Sequence, residues 1–188
     1  MNAKLALLLP TLSLVIAGCA TSYKLPKDSP SATYSLAVES DAASTTTRTV
    51  YTLMLDESCN RHPYGLGGGS KSVFGSDPKI ETASIAVLAE KPLQFTTNYI
   101  DARFAQNKGC SVTGVFTPKT DHIYQARMKI EQDVSVCKLG IIDLSNGGEE
   151  QVDFTMPPYI CGEGKPSDIK NGQAMQLNWS VKVVPASR

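Results

Sequence analysis

The sequence predicts an all-β protein whose strands pack as an antiparallel β-sandwich. Several segments alternate apolar and polar residues with a period of two, which is the pattern of a half-buried strand. Turn-forming residues separate these segments, and no long stretch has a clear helical period. Many short strands without helices favour two packed sheets over a mixed α and β fold.

The first half of the chain contains four predicted strands. Residues 34–39, 48–55 and 82–89 are rich in Thr, Val, Ile, Tyr and Leu, which favour strands. Residues 93–104 fit either a strand or a short helix, because their apolar residues can be aligned with either period. We expect a strand there.

The second half gives the clearest strand signals. Residues 124–131 alternate strictly, and a turn at residues 132–133 leads into a predicted strand at residues 134–144. Asn146 and Gly147 suit the tight turn of a second hairpin, after which the alternation resumes at Val152. Three consecutive antiparallel strands are therefore expected.

A last strand is predicted at residues 175–183, where apolar and polar residues again alternate. With it, the chain has about six to eight strands, the number typical of a sandwich of immunoglobulin-like character. The order of these strands does not follow from the pattern.

The opening segment has the features of a secretion signal. Lys4 and the amino terminus are positive, residues 5–16 are mostly apolar, and Ala17 and Gly18 are small residues of the kind found at cleavage sites. The apolar stretch is shorter than the roughly 20 residues that a spanning helix needs. Ile16, Ala17, Gly18 and Cys19 together resemble the lipobox of bacterial lipoprotein precursors.

The resemblance implies that residues 1–18 are removed and that Cys19 carries acyl chains. Several acyl chains hold a protein stably on a membrane. Ala20 stands where such lipoproteins can carry an inner-membrane retention signal such as aspartate, so the expected location is the outer membrane, facing the periplasm. Residues 19–32, rich in polar residues and proline, are then a lipidated flexible tether, and residues 33–188 form a single domain.

Four cysteines follow the tether: Cys59, Cys110, Cys137 and Cys161. An even number of cysteines in an exported chain predicts two disulfides that cross-link the sandwich. Three pairings are possible, and we expect Cys59 with Cys110 and Cys137 with Cys161, because each pair flanks a predicted group of strands. Wide spacing argues against a zinc site, and no cofactor or metal is expected.

Composition points away from nucleic acid and from catalysis. The chain has 18 basic and 18 acidic residues, without the basic stripe that nucleic-acid binding favours. His62 and His122 are the only histidines, and we expect both to be structural or solvated. Residues 143–153 contain four acidic side chains that a loose calcium site or a carboxylate pair could use, although a solvated hairpin tip is the expected role. The protein is therefore expected not to be an enzyme.

Two cysteine-flanked loops are candidate binding loops. One contains His62 and Tyr64 beside Cys59, and the other contains Pro158 and Tyr159 beside Cys161. Disulfide-restrained loops present side chains at low entropic cost. The expected function is a non-catalytic protein-interaction or structural module with an envelope protein as its partner.

The alternative function is a small-ligand or glycan-binding lipoprotein. It would need a pocket lined by aromatic side chains. The candidates for that lining are Trp179, Tyr159 and Tyr64.

Overall fold

The computed structural model describes residues 25–41, 47–55, 59, 70–75, 77–104, 107–157, 159–162, 165–168 and 173–176. These residues form thirteen strands and no helix, which confirms the predicted all-β class for the part described. Accordingly, no helix within these ranges is long and apolar enough to cross a membrane.

The strands differ widely in length. Five of them have eight or nine residues, β1 has ten, and the others are short. Their bounds are β1 Ser31–Ser40, β2 Thr47–Leu55, β3 Ser70–Phe74, β4 Lys79–Glu81, β5 Ile85–Leu88, β6 Leu93–Asp101, β7 Lys108–Phe116, β8 Ile123–Glu131, β9 Val136–Asp143, β10 Glu150–Gln151, β11 Tyr159–Gly162, β12 Lys165–Asp168 and β13 Gln173–Gln176.

Two main sheets make up the fold. The first has seven strands in the order β10-β9-β8-β1-β4, with β13 paired to β9 and β5 paired to β1. The second has four strands in the order β3-β2-β6-β7, and β11 with β12 forms a separate hairpin. One core of buried apolar residues is shared by strands of both main sheets, as in a β-sandwich.

The pairing is mostly antiparallel, but two pairs are parallel. β1 runs parallel to β8 from Thr33 opposite Ile123 to Ser40 opposite Ile130, and β13 runs parallel to β9. The prediction of a purely antiparallel sandwich is wrong for these pairs, because alternation shows which face of a strand is buried and not which strand lies beside it. The predicted succession of three antiparallel strands is confirmed as β8, β9 and a short β10.

Aromatic rings link the two sheets through the core. Tyr34 lies 5.6 Å from Phe95, Phe95 lies 6.0 Å from Phe116, and Phe116 lies 5.2 Å from Tyr124, measured between ring centroids. The first and last of these residues belong to the seven-stranded sheet and the middle two to the four-stranded sheet. Tilted and edge-on contacts of this kind add to the stabilisation from burial.

A disulfide between Cys110 and Cys137 joins the two sheets, with 6.4 Å between the Cα atoms. The predicted pairings of Cys59 with Cys110 and of Cys137 with Cys161 are therefore wrong. Cys110 lies opposite the buried Tyr99, and Cys137 lies opposite the buried Ile130, so both cysteines occupy the core faces of their sheets. Sequence proximity to a group of strands did not reveal this facing arrangement.

Cys59 belongs to a different region of the protein. It is 1% exposed, contacts Leu55 after the end of β2, and is itself disulfide-bonded. Its partner lies outside the side chains that the structure describes. Cys110–Cys137 is thus the one bridge for which both halves are described.

β1 defines the two ends of the sandwich. It begins at Ser31, so Ser31 and Ala32, which were predicted to belong to the tether, are part of the sheet. The tether end holds the start of β1 and the start of β8. The opposite end, which we call the aromatic end, holds Ser40, the turn between β8 and β9, and the end of β6.

Candidate interaction surface

Tyr159 is the one predicted binding-loop residue that the structure describes. His62, Tyr64 and Pro158 lie outside the described residues, as does the lipid-carrying candidate Cys19. Their predicted roles are therefore not tested by the structure.

Tyr159 is packed against the sandwich. Its half-buried ring contacts a small apolar cluster of Leu53, Leu55 and Cys59, and its hydroxyl donates a hydrogen bond of 3.3 Å to Oε1 of Gln94. Cys59 and Tyr159 thus belong to one apolar cluster. The ring covers an apolar surface, which makes Tyr159 a poor contact residue for a partner.

The aromatic end exposes two phenylalanines. Phe74 is 79% exposed at the end of β3, and Phe104 is completely exposed in the loop after β6. Phe74 ends β3 and pairs with Thr47 at the start of β2. Phe104 follows β6, and the Thr47 carbonyl accepts a hydrogen bond of 2.9 Å from the Ala102 amide directly after that strand. The two phenylalanines therefore project from the same end of the four-stranded sheet.

Ion pairs hold the loop that carries Phe104. The carboxylate of Asp101 is fully buried and accepts a hydrogen bond of 2.8 Å from Nε of Arg103. Arg103 also binds Asp133 in the turn between β8 and β9, and Asp133 binds Lys108 at the start of β7. Hydrogen bonds from Arg103 and Lys108 lower the pKa of Asp133, and those to Asp133 and Asp101 raise the pKa of Arg103. Both ends of the loop are consequently fixed.

The turn that supplies Asp133 has an unusual backbone. Gln132, Asp133 and Val134 have φ angles of 53°, 54° and 71°, a region that a β-branched residue such as Val134 rarely adopts. Val134 is 7% exposed and packs into the core, and the Gln132 amide donates a hydrogen bond of 3.0 Å to Asp41. Such strain persists only where surrounding contacts determine the conformation.

A buried arginine holds the backbone that follows Phe74. Arg48 is fully buried, and its Nη2 donates to the Gly75 carbonyl at 2.7 Å and to the Asp77 carbonyl. These carbonyls lie where the chain passes from β3 in one sheet to β4 in the other. Val73 packs against the core on the opposite side of the strand from Phe74. Phe74 is therefore held on an ordered strand end.

This arrangement suits binding by contact. A fully exposed phenylalanine gains about 1.5–3 kcal/mol when a partner buries it, and aromatic anchors dominate many interfaces. Fixed loops reduce the entropic cost of that binding. Sequence reasoning missed both residues: Phe104 was placed inside a predicted strand, and no strand was predicted at Phe74.

A second polar unit lies at the tether end. Nδ1 of His122 lies 2.6 Å from Oδ2 of Asp143, and the Ser145 amide and hydroxyl both donate to Oδ1 of the same carboxylate. The imidazole stacks on Tyr124 with 5.9 Å between centroids. Burial opposes ionisation of Asp143, but the bonds from Ser145 and His122 outweigh it and lower the pKa of the carboxyl. These contacts fix the loop before β8 to the turn after β9.

The acidic region between residues 143 and 153 is partly occupied by ion pairs. Glu149 receives two hydrogen bonds, of 2.8 and 2.6 Å, from the guanidinium of Arg127, which lowers the pKa of Glu149. Asp143 is bound by His122 and Ser145 as described. Within the described part of the chain, no three His, Cys, Asp or Glu residues are grouped so that they could hold a metal ion.

A groove of about 190 Å³ runs over β1 between β4 and β8. Its lining contains no aromatic ring and includes Ala37, Glu39, Lys79, Glu81, Gln125 and Arg127. The aromatic-lined pocket required by the alternative function is therefore not found in this groove. Trp179 and Tyr64, which were predicted to line such a pocket, lie outside the described residues.

Comparison with known proteins adds no assignment: no protein-family model, curated protein or solved structure matches this chain. The aromatic end is the part of the described structure whose geometry bears most on function. That end combines exposed aromatic side chains with a fixed backbone, as an interaction surface requires.

Proposed function

We propose that the protein is a lipid-anchored lipoprotein of the bacterial outer membrane that faces the periplasm and acts by contact, without catalysis. Phe74 and Phe104 form its contact surface, and its partner is another protein of the envelope. The observation that carries this proposal is the exposure of both phenylalanines on one ordered end of the sandwich. The lipobox-like residues at Ile16 to Cys19 support the anchor.

The position of this surface favours a protein partner over the lipid that holds the anchor. β1 has ten residues and leads from the tether end to the aromatic end, a distance of about 30 Å for an extended strand. The segment between Cys19 and Ser31 adds up to about 40 Å of reach when extended. Phe74 and Phe104 then lie at the end of the domain farthest from the tether, where molecules in the periplasm can reach them.

Charge at the aromatic end also favours a protein partner. Arg103 and Lys108 are both paired with Asp133, and Arg103 is paired with Asp101 as well. Anionic lipid attracts surfaces with an excess of basic groups. The charged residues around the two phenylalanines include both basic and acidic side chains. Apolar anchors inside a polar rim are typical of protein interfaces.

We further propose that Cys59 pairs with Cys161 and that the sandwich is immunoglobulin-like. Cys110 and Cys137 are already joined, and Tyr159, two residues before Cys161, packs against the cluster of Leu55 and Cys59. A bridge between the core faces of two sheets, as formed by Cys110 and Cys137, is a feature of immunoglobulin domains. Mapping of unreduced peptides tests the pairing: a Cys19–Cys59 peptide would contradict it.

The anchor is tested by Cys19→Ala. We expect the variant to keep its leader and to leave the membrane fraction, because the acyl acceptor is gone. Normal processing together with retention in the membrane fraction would refute the lipoprotein assignment. Mass analysis of the wild-type amino-terminal peptide supplies the direct readout of acylation.

The contact surface is tested by photo-crosslinking in cells. A crosslinking amino acid at position 74 or 104 should capture the same envelope protein, whereas the same amino acid at Ala86 should not. Ala86 is the matched control because it is exposed but lies near the tether end, opposite Thr33. Capture from both ends, or from neither, would contradict the proposed surface.

A further inference from the structure

We propose that the partner binds by adding an extended segment to the outer edge of β3, where Phe74, the last residue of β3, supplies the apolar contact beside the added strand. This inference rests on the proposed function, because it assigns the mode of binding at the same surface. Edge addition supplies affinity through backbone hydrogen bonds and specificity through alternate side chains.

β3 lies at the edge of the four-stranded sheet. Among the described residues it pairs only with β2, from Ser70 opposite Tyr51 to Phe74 opposite Thr47. A strand with one neighbour leaves the backbone groups of its outer side available for another chain. Five residues are enough for a short added strand.

The other sheet edges are more fully covered. β7, at the far side of the same sheet, is bridged at Val115 by Thr155 through two hydrogen bonds and is tied to β9 by the disulfide. In the other sheet, β1 is covered by β4 and β5, and β9 is covered by β10 and β13. The strands that provide this cover have two to four residues, which leaves little edge to pair with.

The β3 edge is held in position before any partner binds. Val73 packs against the core, and the hydroxyls of Thr49 and Ser72 lie 2.8 Å apart within hydrogen-bond distance across β2 and β3. Arg48 fixes the carbonyl of Gly75 directly after the strand. A template with a fixed register lowers the entropic cost of pairing.

Side chains along the edge indicate what the segment contains. Lys71 and Phe74 are both exposed, and they are three positions apart, so they face opposite sides of the strand. Cross-strand neighbours prefer opposite charge and aromatic or apolar contacts. The matching segment therefore has an acidic residue and an apolar residue three positions apart.

Phe104 extends the same site. An added strand lies three strand spacings from β6, about 14 Å, which is the length of roughly four extended residues. A segment that continues past Phe74 over the end of the sandwich can therefore reach Phe104. A second copy of this chain fits less well, because antiparallel pairing centred on Ser72 would place Lys71 opposite Val73.

The test selects random eight-residue peptides on phage against the purified full chain in detergent. We expect enriched peptides with an acidic and an apolar residue three positions apart. Lys71→Glu should lower the affinity for such a peptide at least fivefold. Replacement of the acidic residue of the peptide by lysine should restore that affinity. Phe74→Ser should also weaken binding, and Ala86→Ser is the control that should not.

Methylation of peptide amides distinguishes backbone pairing from contact through side chains alone. Methyl groups on alternate amides that face β3 should abolish binding, and those on the other alternate amides should not. Equal tolerance of both series, failure to enrich any peptide, or a dimer in sedimentation that Phe74→Ser dissociates would each overturn the inference. If crosslinking from position 104 still captured an envelope protein, the proposed function would stand without the edge-addition mode. Loss of peptide binding together with loss of that crosslink would refute the binding mode and the proposed function.

Discussion

Gly114 and Phe95 lie opposite each other on β7 and β6, and the missing side chain of Gly114 leaves the space that the Phe95 ring occupies. A Cβ atom on Gly114 would lie 2.8 Å from Cζ of Phe95, which is closer than such atoms approach. The ring has no room to move, because it is fully buried between Tyr34 and Phe116. One glycine thus sets the packing of the aromatic core.

Gly114→Ala is expected to lower the free energy of unfolding by about 1–3 kcal/mol, since the added methyl group overpacks the core. Urea denaturation followed by fluorescence measures the change. Gly148→Ala is the matched control, because no atom lies within 4 Å of the position of its Cβ. Equal destabilisation by both substitutions would contradict the packing argument.

Arg48→Met is expected to destabilise the fold by about 2–4 kcal/mol. The Gly75 and Asp77 carbonyls would lose a charged donor in a place where Arg48 is fully buried. Hydrogen exchange should show faster opening at the passage from β3 to β4. Lys71→Met is the control: it removes an exposed cation from the next strand and should change the free energy of unfolding by less than about 0.5 kcal/mol. If Lys71→Met lowered the free energy of unfolding as much as Arg48→Met does, the specific role of Arg48 would be refuted.

Joint replacement of Cys110 and Cys137 by alanine is expected to cost about 2–4 kcal/mol. The bridge closes a separation of 27 residues and joins the two sheets, so its loss enlarges the unfolded ensemble. Thermal unfolding without reductant gives the difference. A variant as stable as the wild type would show that the bridge does not constrain folding.

We predict that protonation of Asp143 lowers the stability of the folded protein in acid. Because its pKa is lower in the folded state than the unfolded value of about 3.9, its contribution is complete above that value and is lost as pH falls through the folded pKa. Asp143→Asn should destabilise the protein at pH 7 and flatten the dependence of stability on pH below about 4. A variant whose stability falls as steeply in acid as that of the wild type would refute the assignment.

We predict that ionisation of Tyr34 lowers the stability of the folded protein in alkali. Burial raises the pKa of Tyr34 to about 12, against a smaller effect of the Thr52 and Thr97 hydroxyls. The unfolded value is about 10, so stability is complete below pH 10 and falls as pH rises from about 10 to 12. Absorbance titration should show late tyrosine ionisation, to which Tyr99 and Tyr124 also contribute because burial raises their pKa. Tyr34→Phe should lower the amplitude of this late ionisation by one tyrosine, and an unchanged amplitude would contradict the prediction.

The sequence was most informative where a strand is buried on one face. In β8, Tyr124, Ala126, Met128 and Ile130 are all buried, as the alternation predicts. The ambiguous residues 93–104 form a strand as expected, but β6 ends at Asp101 and leaves Phe104 outside. Asp101 is buried, and Arg103 binds its carboxylate. The spacing of apolar residues along the sequence does not reveal such a contact.

Four features were not predictable from the local pattern of residues. β7 was missed because Gly109, Ser111 and Gly114 weaken its strand signal. In the sheet, each of these residues is paired with a residue of β6. The parallel pairing of β1 with β8 joins residues about ninety positions apart. The disulfide follows from which sheet faces meet, so the choice among three pairings required the fold. The exposed position of Phe74 likewise depends on where β3 stops.

β1 has a mechanical consequence that follows from its place in the sheet. It pairs with β8 along eight consecutive positions, and its hydrogen bonds lie across the strand direction. Tension between the residues before Ser31 and a partner held at Phe74 and Phe104 would act along β1. The bonds to β8 would then be loaded together in shear, whereas a pull across the strand would open them one after another. A domain held through the residues before Ser31 would consequently resist stretching towards the aromatic end.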